Sequence, residues 1–218
     1  MITTKRTGKE RIGMTRWVII LAGSLTFLAL LCIPKIYAEQ PIPQIVLEPG
    51  SKLWLIGDST LHAYSATATD LRLAMEIKPV ADLFEEIRAG GIKGLDVRVP
   101  VKGLKSGKSQ LDRNMHRALK VNEHPEIIFH LLSYEVLAST SAASFSLLAK
   151  GDLSIAGQTN AIDLRANVTA GEHTRIEGSK NLLMTDYGVK PPSFLGAIKT
   201  HNRVIINFDL FLSQKPTN

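Results

Sequence analysis

Residues 145–168 read FSLLAKGDLSIAGQTNAIDLRANV and decide the fold class of this chain. From Phe145 to Ile155, small or apolar residues recur at every second position, with mostly polar residues between them. Residues 162–168 alternate in the same way. Strict alternation is typical of a β-strand with one buried and one solvated face. The stretch therefore predicts two such strands.

The same period of two recurs on both sides of this stretch. It is clear in residues 95–101 and 204–212. Further strands are expected near residues 53–57, 67–77, 126–136 and 174–184. About eight strands with little helix predict a single, mainly all-β domain, folded as a closed antiparallel barrel or as a sandwich. Closure would remove the exposed strand edges that invite aggregation.

One or two short helices are expected between the strands. Residues 109–112 (SQLD) resemble a capping box, in which serine and acidic side chains satisfy the unpaired N–H groups of a helix start. Leu111, Met115 and Leu119 then recur every four residues on one face. A second helix is predicted near residues 81–88.

The net charge of the 218-residue chain, +6, is concentrated at the N-terminus. Residues 1–38 hold six Lys or Arg and one Glu, whereas residues 39–218 hold 20 basic and 19 acidic residues. Binding to nucleic acid depends on many cations that neutralise phosphates. The balanced charge of residues 39–218 therefore argues against a nucleic-acid partner.

Residues 1–38 predict a signal peptide for export, with an N-terminal membrane anchor as the alternative. Basic residues up to Arg16 precede an uncharged apolar run over residues 17–33, and Ala38 suits cleavage before Glu39. The run is at the short edge of the ~17–25 residues that span a bilayer, so cleavage is preferred. Either case predicts a periplasmic or otherwise exported protein.

Residues 39–50, with three prolines, predict a linker, and residues 51–214 the folded domain. The one cysteine, Cys32, falls within the predicted signal. The exported part would then have no disulfide, no thiolate nucleophile and no cysteine metal site.

Several blocks of the chain resemble the YceI-like family. They are residues 57–62 (GDSTLH), 111–116 (LDRNMH), 124–129 (HPEIIF), 151–159 (GDLSIAGQT), 186–189 (DYGV), 191–192 (PP) and 202–210 (NRVIINFDL). The blocks occur in the family's order over residues 51–213. The resemblance implies a lipocalin-like antiparallel barrel, usually periplasmic, that binds a long polyisoprenoid chain such as the tail of an isoprenoid quinone.

The candidate ligand-binding residues belong to the apolar faces of the strands. A long apolar chain needs only an elongated apolar cavity, because each buried CH₂ contributes ~0.8 kcal/mol. The predicted lining residues are Val97, Val99, Ile127, Phe129, Leu147, Leu153, Ile155, Leu164, Val204, Ile206, Phe208 and Leu210. The alternative is that these side chains pack against one another as an ordinary core.

No catalytic or metal-binding residue is predicted. Residues 57–59 (GDS) lack the second glycine of a nucleophile elbow, and the favoured interpretation is a turn in which a hydroxyl bonds its own backbone. The six histidines include no pair at H-x-H or H-x-x-x-H spacing. Asp112, Arg113, Asn114 and His116 are instead expected to pin the longer helix to the barrel rim.

The sequence therefore predicts a binding protein, not an enzyme, that sequesters or carries an isoprenoid lipid. No cofactor is expected apart from that lipid, and transient contact with a membrane is an additional expectation. One alternative is a filled barrel that acts through its outer surface, in envelope stress response or protein interaction. Ile205 and Phe211, which lie out of phase with the apolar face, are the signal for it. A hydrolase is less favoured.

Overall fold

The computed structural model describes residues 44–78, 81–191, 193–194 and 198–215, and the predicted signal over residues 1–38 lies outside them. Within this part of the chain, twelve strands form one strongly curled antiparallel sheet, accompanied by two short helices. The predicted mainly β, antiparallel fold with one or two helices is confirmed. No helix among the described residues is long and apolar enough to cross a membrane.

The strands are β1 (Gln44–Leu47), β2 (Lys52–Ser59), β3 (Tyr64–Ala68), β4 (Arg72–Ile77), β5 (Ile92–Pro100), β6 (Leu104–Lys105), β7 (Glu126–Ser141), β8 (Ser144–Ile155), β9 (Gln158–Thr169), β10 (Thr174–Leu183), β11 (Ser193–Phe194) and β12 (Ile198–Lys215). The helices are α1 (Leu83–Arg88) and α2 (Ser109–Ala118). Short 3-10 turns occupy Val101–Gly103 and Met184–Tyr187.

The strand count exceeds the predicted eight because one predicted strand is divided and because the short strands β1, β6 and β11 were not predicted. The strand predicted over residues 67–77 is divided into β3 and β4, which pair with β2 and β5 respectively. At the break, Thr69 donates both its backbone N–H and its hydroxyl to the carbonyl of Gly103, each at 2.9 Å. In the order β4-β5-β7-β8-β9-β10-β12-β2-β3-β6, the consecutive strands β3 and β4 lie at opposite ends of the path, so the curled sheet returns on itself through the chain that joins them.

The predicted linker is wrong in its described part, because β1 belongs to the sheet. Its four residues pair with the end of β12, with Gln44 opposite Lys215, and Ile45 is only 4% exposed. Four residues are too few for a clear period of two, and the nearby prolines suggested an unpaired segment. The folded domain therefore includes residues 44–47, before the predicted start at residue 51.

One end of the barrel, which we call the plug end, is closed by α1. Asp82 caps this predicted helix by accepting hydrogen bonds from the backbone N–H groups of Phe84 (2.9 Å) and Glu85 (3.3 Å). The side chains of Leu83, Phe84 and Ile87 are buried. The ring of Phe84 lies 5.1 Å from that of Phe145 on β8, so α1 is packed against the barrel wall.

Helix α2 begins at Ser109, as predicted, but without the predicted capping box. The residue before it, Lys108, occupies the N-cap position and makes no side-chain capping bond. Asp112 instead accepts hydrogen bonds from the backbone N–H (2.7 Å) and hydroxyl (2.6 Å) of Ser106. Ser109 already lies inside the first turn, so its hydroxyl is one residue too late to cap the helix.

The described residues of this domain, 44–215, share one sheet and one main core. Every strand pairs with another strand of the same stretch. The larger core cluster also lies within it and joins β1, β4, α1, β8, β9 and β12 at the plug end. The described residues 44–215 belong to one compact unit of the chain.

Candidate functional site

An inner cavity of about 190 Å³ lies inside the barrel. Its wall consists of aliphatic and aromatic side chains, apart from Lys180 and the hydroxyl of Tyr134. That hydroxyl donates to the carbonyl of Ile87 (2.8 Å) and accepts from the N–H of Ile92 (3.3 Å). Burial raises the pKa of Tyr134, so it remains a neutral phenol. The cavity therefore presents an almost wholly apolar surface.

A second space of about 490 Å³, the mouth chamber, continues the inner cavity toward α2. The two spaces share the side chains of Leu55, Leu104, Ile127, Ile155, Leu182 and Ile206. The polar side chains of the mouth chamber are Ser59, His62, Tyr64, Lys108, Gln110, Asn114, Tyr187 and Thr200. The polarity of the wall thus rises from the inner cavity to the mouth.

Helix α2 contributes an apolar stripe to the mouth chamber. Leu111, Met115 and Leu119, which the period of four had placed on one face, all line this space. None of the residues of α2 is buried. Leu119 packs against the small cluster of Ala156, Tyr187 and Val189, and all three stripe residues stay partly exposed toward the chamber. The stripe thus keeps apolar surface for a ligand, whereas most amphipathic helices bury such a face.

Two aromatic rings of the inner cavity lie close to strand backbone at positions occupied by glycine. A Cβ atom at Gly151 would collide with the ring of Phe129, and one at Gly178 with the ring of Phe208. Both rings pack over strand backbone where other residues would project side chains. The glycines thus keep the rings out of the central volume.

The wall between β9 and β10 is incomplete near the mouth. The two strands pair only from Arg175 to Gly178 within this described stretch. Beyond Gly178, the ammonium of Lys180 donates to the carbonyl of Asp163 at 2.8 Å. The stem of Lys180 lines the inner cavity, so one side chain crosses the gap.

The structure brings the predicted lining residues together around one space. Eleven of the twelve lie on the inner cavity, and Val204 lies on the mouth chamber. Leu147 also belongs to the packed core of the plug end. Their contact with a ligand stays a prediction.

Other wall residues were missed. The alternation signal extends to Leu53, Leu73 and Met75, which lie on strands predicted without a defined face. Tyr187 and Val189 come from a 3-10 turn and the loop after it, where no periodicity marks them.

The predicted polar network at the rim is correct for two of its four residues. Asp112 holds Ser106, and this hydrogen bond lowers the pKa of its carboxyl. A ring nitrogen of His116 lies 2.9 Å from the carbonyl of Leu104. Arg113 and Asn114 bond to Gln110 on the same helix surface, and neither forms a hydrogen bond to a strand among the described residues.

The polar groups of residues 57–62 are engaged in a local turn. The hydroxyl of Ser59 donates to the carbonyl of His62 (2.8 Å) and accepts from the N–H groups of Leu61 and His62. This is the predicted turn stabilised by its own hydroxyl. In the part of the chain that the structure describes, no three His, Cys, Asp or Glu side chains cluster as metal ligands would.

Comparison with known proteins identifies the fold. The model of the YceI-like domain matches residues 63–212. No curated protein matches the chain. Similar solved structures include Burkholderia cenocepacia BcnA, with a TM-score of 0.60 and 11% identity over 77% of this chain and 99% of that one.

Two further solved structures share the fold. A polyisoprenoid-binding domain from Saccharophagus degradans, implicated in plant cell wall breakdown, has a TM-score of 0.57 and 12% identity over 81% of this chain and 100% of that one. A Campylobacter jejuni YceI protein has a TM-score of 0.53 and 15% identity over 70% of this chain and 85% of that one. These low identities show a common fold.

Proposed function

Because this chain belongs to the YceI-like family, we propose that it is an exported protein that holds a long apolar lipid inside its barrel and thereby sequesters or carries it. The ligand proposed is a polyisoprenoid or an isoprenoid quinone. The two adjoining cavities, an apolar one inside the barrel and one with polar groups beside α2, are the observation that carries the proposal. The polyisoprenoid-binding domain of similar fold supports it.

The gradient of polarity gives the ligand an orientation. The tail would occupy the inner cavity, where burial of each CH₂ contributes ~0.8 kcal/mol and Tyr134 has no free hydrogen-bonding group. The head group would lie in the mouth chamber, near Lys108, Gln110 and Asn114. Volumes of about 190 and 490 Å³ are together typical of ligand-binding pockets.

The proposed mechanism is shielding from water, without a covalent step. The apolar stripe of α2 would cover the part of the chain that leaves the inner cavity, and its burial would add to the affinity. The open volume favours this function over a filled barrel that acts only through its outer surface.

Mass spectrometry of the purified domain tests the ligand. Residues 39–218 are exported to a bacterial periplasm behind the host's signal, purified, and examined intact and after solvent extraction. A co-purifying lipid of isoprenoid mass is expected. A protein that is free of lipid, and stays so after incubation with quinones and polyprenols, would contradict the proposal.

A matched pair of variants locates the lipid. Ala149→Phe places a ring in the inner cavity, whereas Ala161→Phe adds the same ring at an exposed position of β9. The first variant is expected to lose the lipid and the second to keep it, with circular dichroism reporting the fold of both.

Export is tested separately with the full chain. Its intact mass after recovery from the periplasm is expected to correspond to a protein beginning at Glu39. Recovery only with the membrane fraction, at full mass, would favour the anchor.

A further inference from the structure

The mouth end of the barrel carries an excess of positive charge. We define it as residues 58–62, 105–118, 183–190 and 199–203, which line or border the mouth chamber. These segments contain seven Lys or Arg and three Asp, whereas the rest of residues 39–218 contains thirteen basic and sixteen acidic residues. The domain is therefore electrically polarised, with its positive side at the opening of the cavity.

Several of these cations are not neutralised locally. Lys108, Lys190 and Lys199 are exposed and form no ion pair with any described residue, whereas Asp58 lies 3.4 Å from His201. Cations of this kind attract anionic surfaces over roughly a Debye length, ~8–10 Å at physiological salt. The mouth end therefore presents a positive rim.

An exposed leucine projects from the same rim. Leu61 is 64% exposed at the turn between β2 and β3. The adjacent Thr60 donates its N–H to the carbonyl of Lys199 (3.0 Å) and accepts from the N–H of Lys199 at its hydroxyl (3.2 Å). The turn that carries Leu61 is therefore held beside Lys199. Leucine among cations is the composition of surfaces that lie in a membrane interface.

We propose that the mouth end docks on an anionic phospholipid bilayer, with Leu61 in the interface and the rim lysines facing lipid phosphates. The inference rests on the proposed function, because a cargo insoluble in water can pass between barrel and bilayer only where the mouth faces lipid. The chamber opens at the positive rim, so docking there joins the cavity to the membrane without an aqueous gap.

Vesicle sedimentation measures the docking directly. Residues 39–218 are used, because residues 1–38 contain an apolar run that could insert by itself. The domain is expected to bind vesicles of phosphatidylglycerol and phosphatidylethanolamine, to dissociate as salt is raised, and to ignore phosphatidylcholine vesicles. Equal binding to both vesicle types, or to neither, would overturn the proposal.

Charge reversal at the rim tests whether the membrane binds at the mouth end. The double variant Lys190→Glu/Lys199→Glu is expected to weaken vesicle binding by at least about 25-fold, since each cation near an anionic membrane contributes roughly a five-fold factor. The control Lys52→Glu/Lys93→Glu changes the same charge at two exposed positions outside the mouth end. An equal loss in both double variants would contradict docking through the mouth.

The role of Leu61 is tested against a control leucine that is almost equally exposed. Leu61→Ser is expected to weaken binding several-fold, whereas Leu132→Ser, at a position 61% exposed on β7, leaves it unchanged. Capture of the wild-type domain by an acidic protein surface, with no vesicle binding, would overturn the membrane as partner.

The lipid content of the same preparations separates the two proposals. Leu61, Lys190 and Lys199 lie outside the cavity walls, so their variants are expected to retain co-purified lipid. A domain that holds lipid but ignores vesicles overturns the docking alone. One that binds vesicles but holds no lipid overturns the proposed function.

Discussion

The two ends of the barrel are each covered by one helix, and the two helices are used in opposite ways. At the plug end, α1 has only six residues, yet Leu83, Phe84 and Ile87 are at most 7% exposed. At the mouth, the ten-residue α2 has no buried residue. The shorter helix is the more firmly packed of the two.

This difference separates stability from binding. The plug end contains the larger core cluster, so its apolar surface is already buried in the folded protein. The apolar stripe of α2 borders the mouth chamber and is only partly buried, so a ligand can bury the surface that stays exposed. Substitutions that reduce burial should therefore affect unfolding at one end and lipid retention at the other.

The largest expected effect on stability comes from removing a buried ring at the plug end. Phe84→Ala removes a ring that is 4% exposed and should lower the free energy of unfolding by about 3–5 kcal/mol. Leu111→Ala on α2 should cost less than about 1 kcal/mol, because its side chain borders open volume. Urea unfolding of both variants measures the contrast, and similar losses would refute it.

A smaller effect is expected at the tyrosine that clamps α1. Tyr134→Phe removes the hydroxyl that accepts from the N–H of Ile92 and donates to the carbonyl of Ile87, which keeps the N–H of Gly90 as a donor (3.2 Å). The loss at the N–H of Ile92 should cost about 1–3 kcal/mol. The matched change at the mouth is Tyr64→Phe, whose hydroxyl has no hydrogen-bond partner in the described part of the chain. It should leave stability unchanged in the same urea experiment.

Removal of the first polar side chain should destabilise α1 by about 1 kcal/mol more than α2. Asp82→Ala removes the capping bonds of α1 and is expected to lower stability by about that amount. Ser109→Ala should have no such effect, because this hydroxyl does not cap α2. A clear loss of stability in Ser109→Ala would instead support the capping box that the sequence predicted.

The smallest expected effect is the loss of stability of α2 when Asp112 is protonated at low pH. The hydrogen bond from Ser106 lowers the pKa of Asp112 below its ordinary ~3.9, so the stabilisation is present above about pH 4 and is lost as the pH falls through the lowered value. Amide hydrogen exchange in α2 should therefore become faster than in α1 below about pH 4. In Asp112→Asn, exchange in α2 should no longer respond to this titration.

The alternation of the sequence predicted the wall of the cavity well, because it depends only on neighbouring residues. The closure of the barrel could not be predicted in this way. It depends on Thr69 meeting Gly103, and on β1 meeting the end of β12, contacts between distant parts of the chain.

Helix α2 shows a second limit of prediction from the sequence. Its period of four predicted an apolar face, which the structure confirms, but a period does not say whether that face meets protein or open space. The pairing of Ser106 with Asp112 also escaped prediction, because it depends on the turn before the helix.

The gap between β9 and β10 has a consequence for the range of ligands. Between most neighbouring strands, ladders of backbone hydrogen bonds fix the spacing, and these ladders cannot lengthen without breaking. Beyond the four residue pairs that end at Gly178, the flexible side chain of Lys180 spans the two strands. The girth of the barrel can therefore adjust here by rotation about the bonds of one side chain. A thicker or more branched cargo would be accommodated without the loss of any strand pairing.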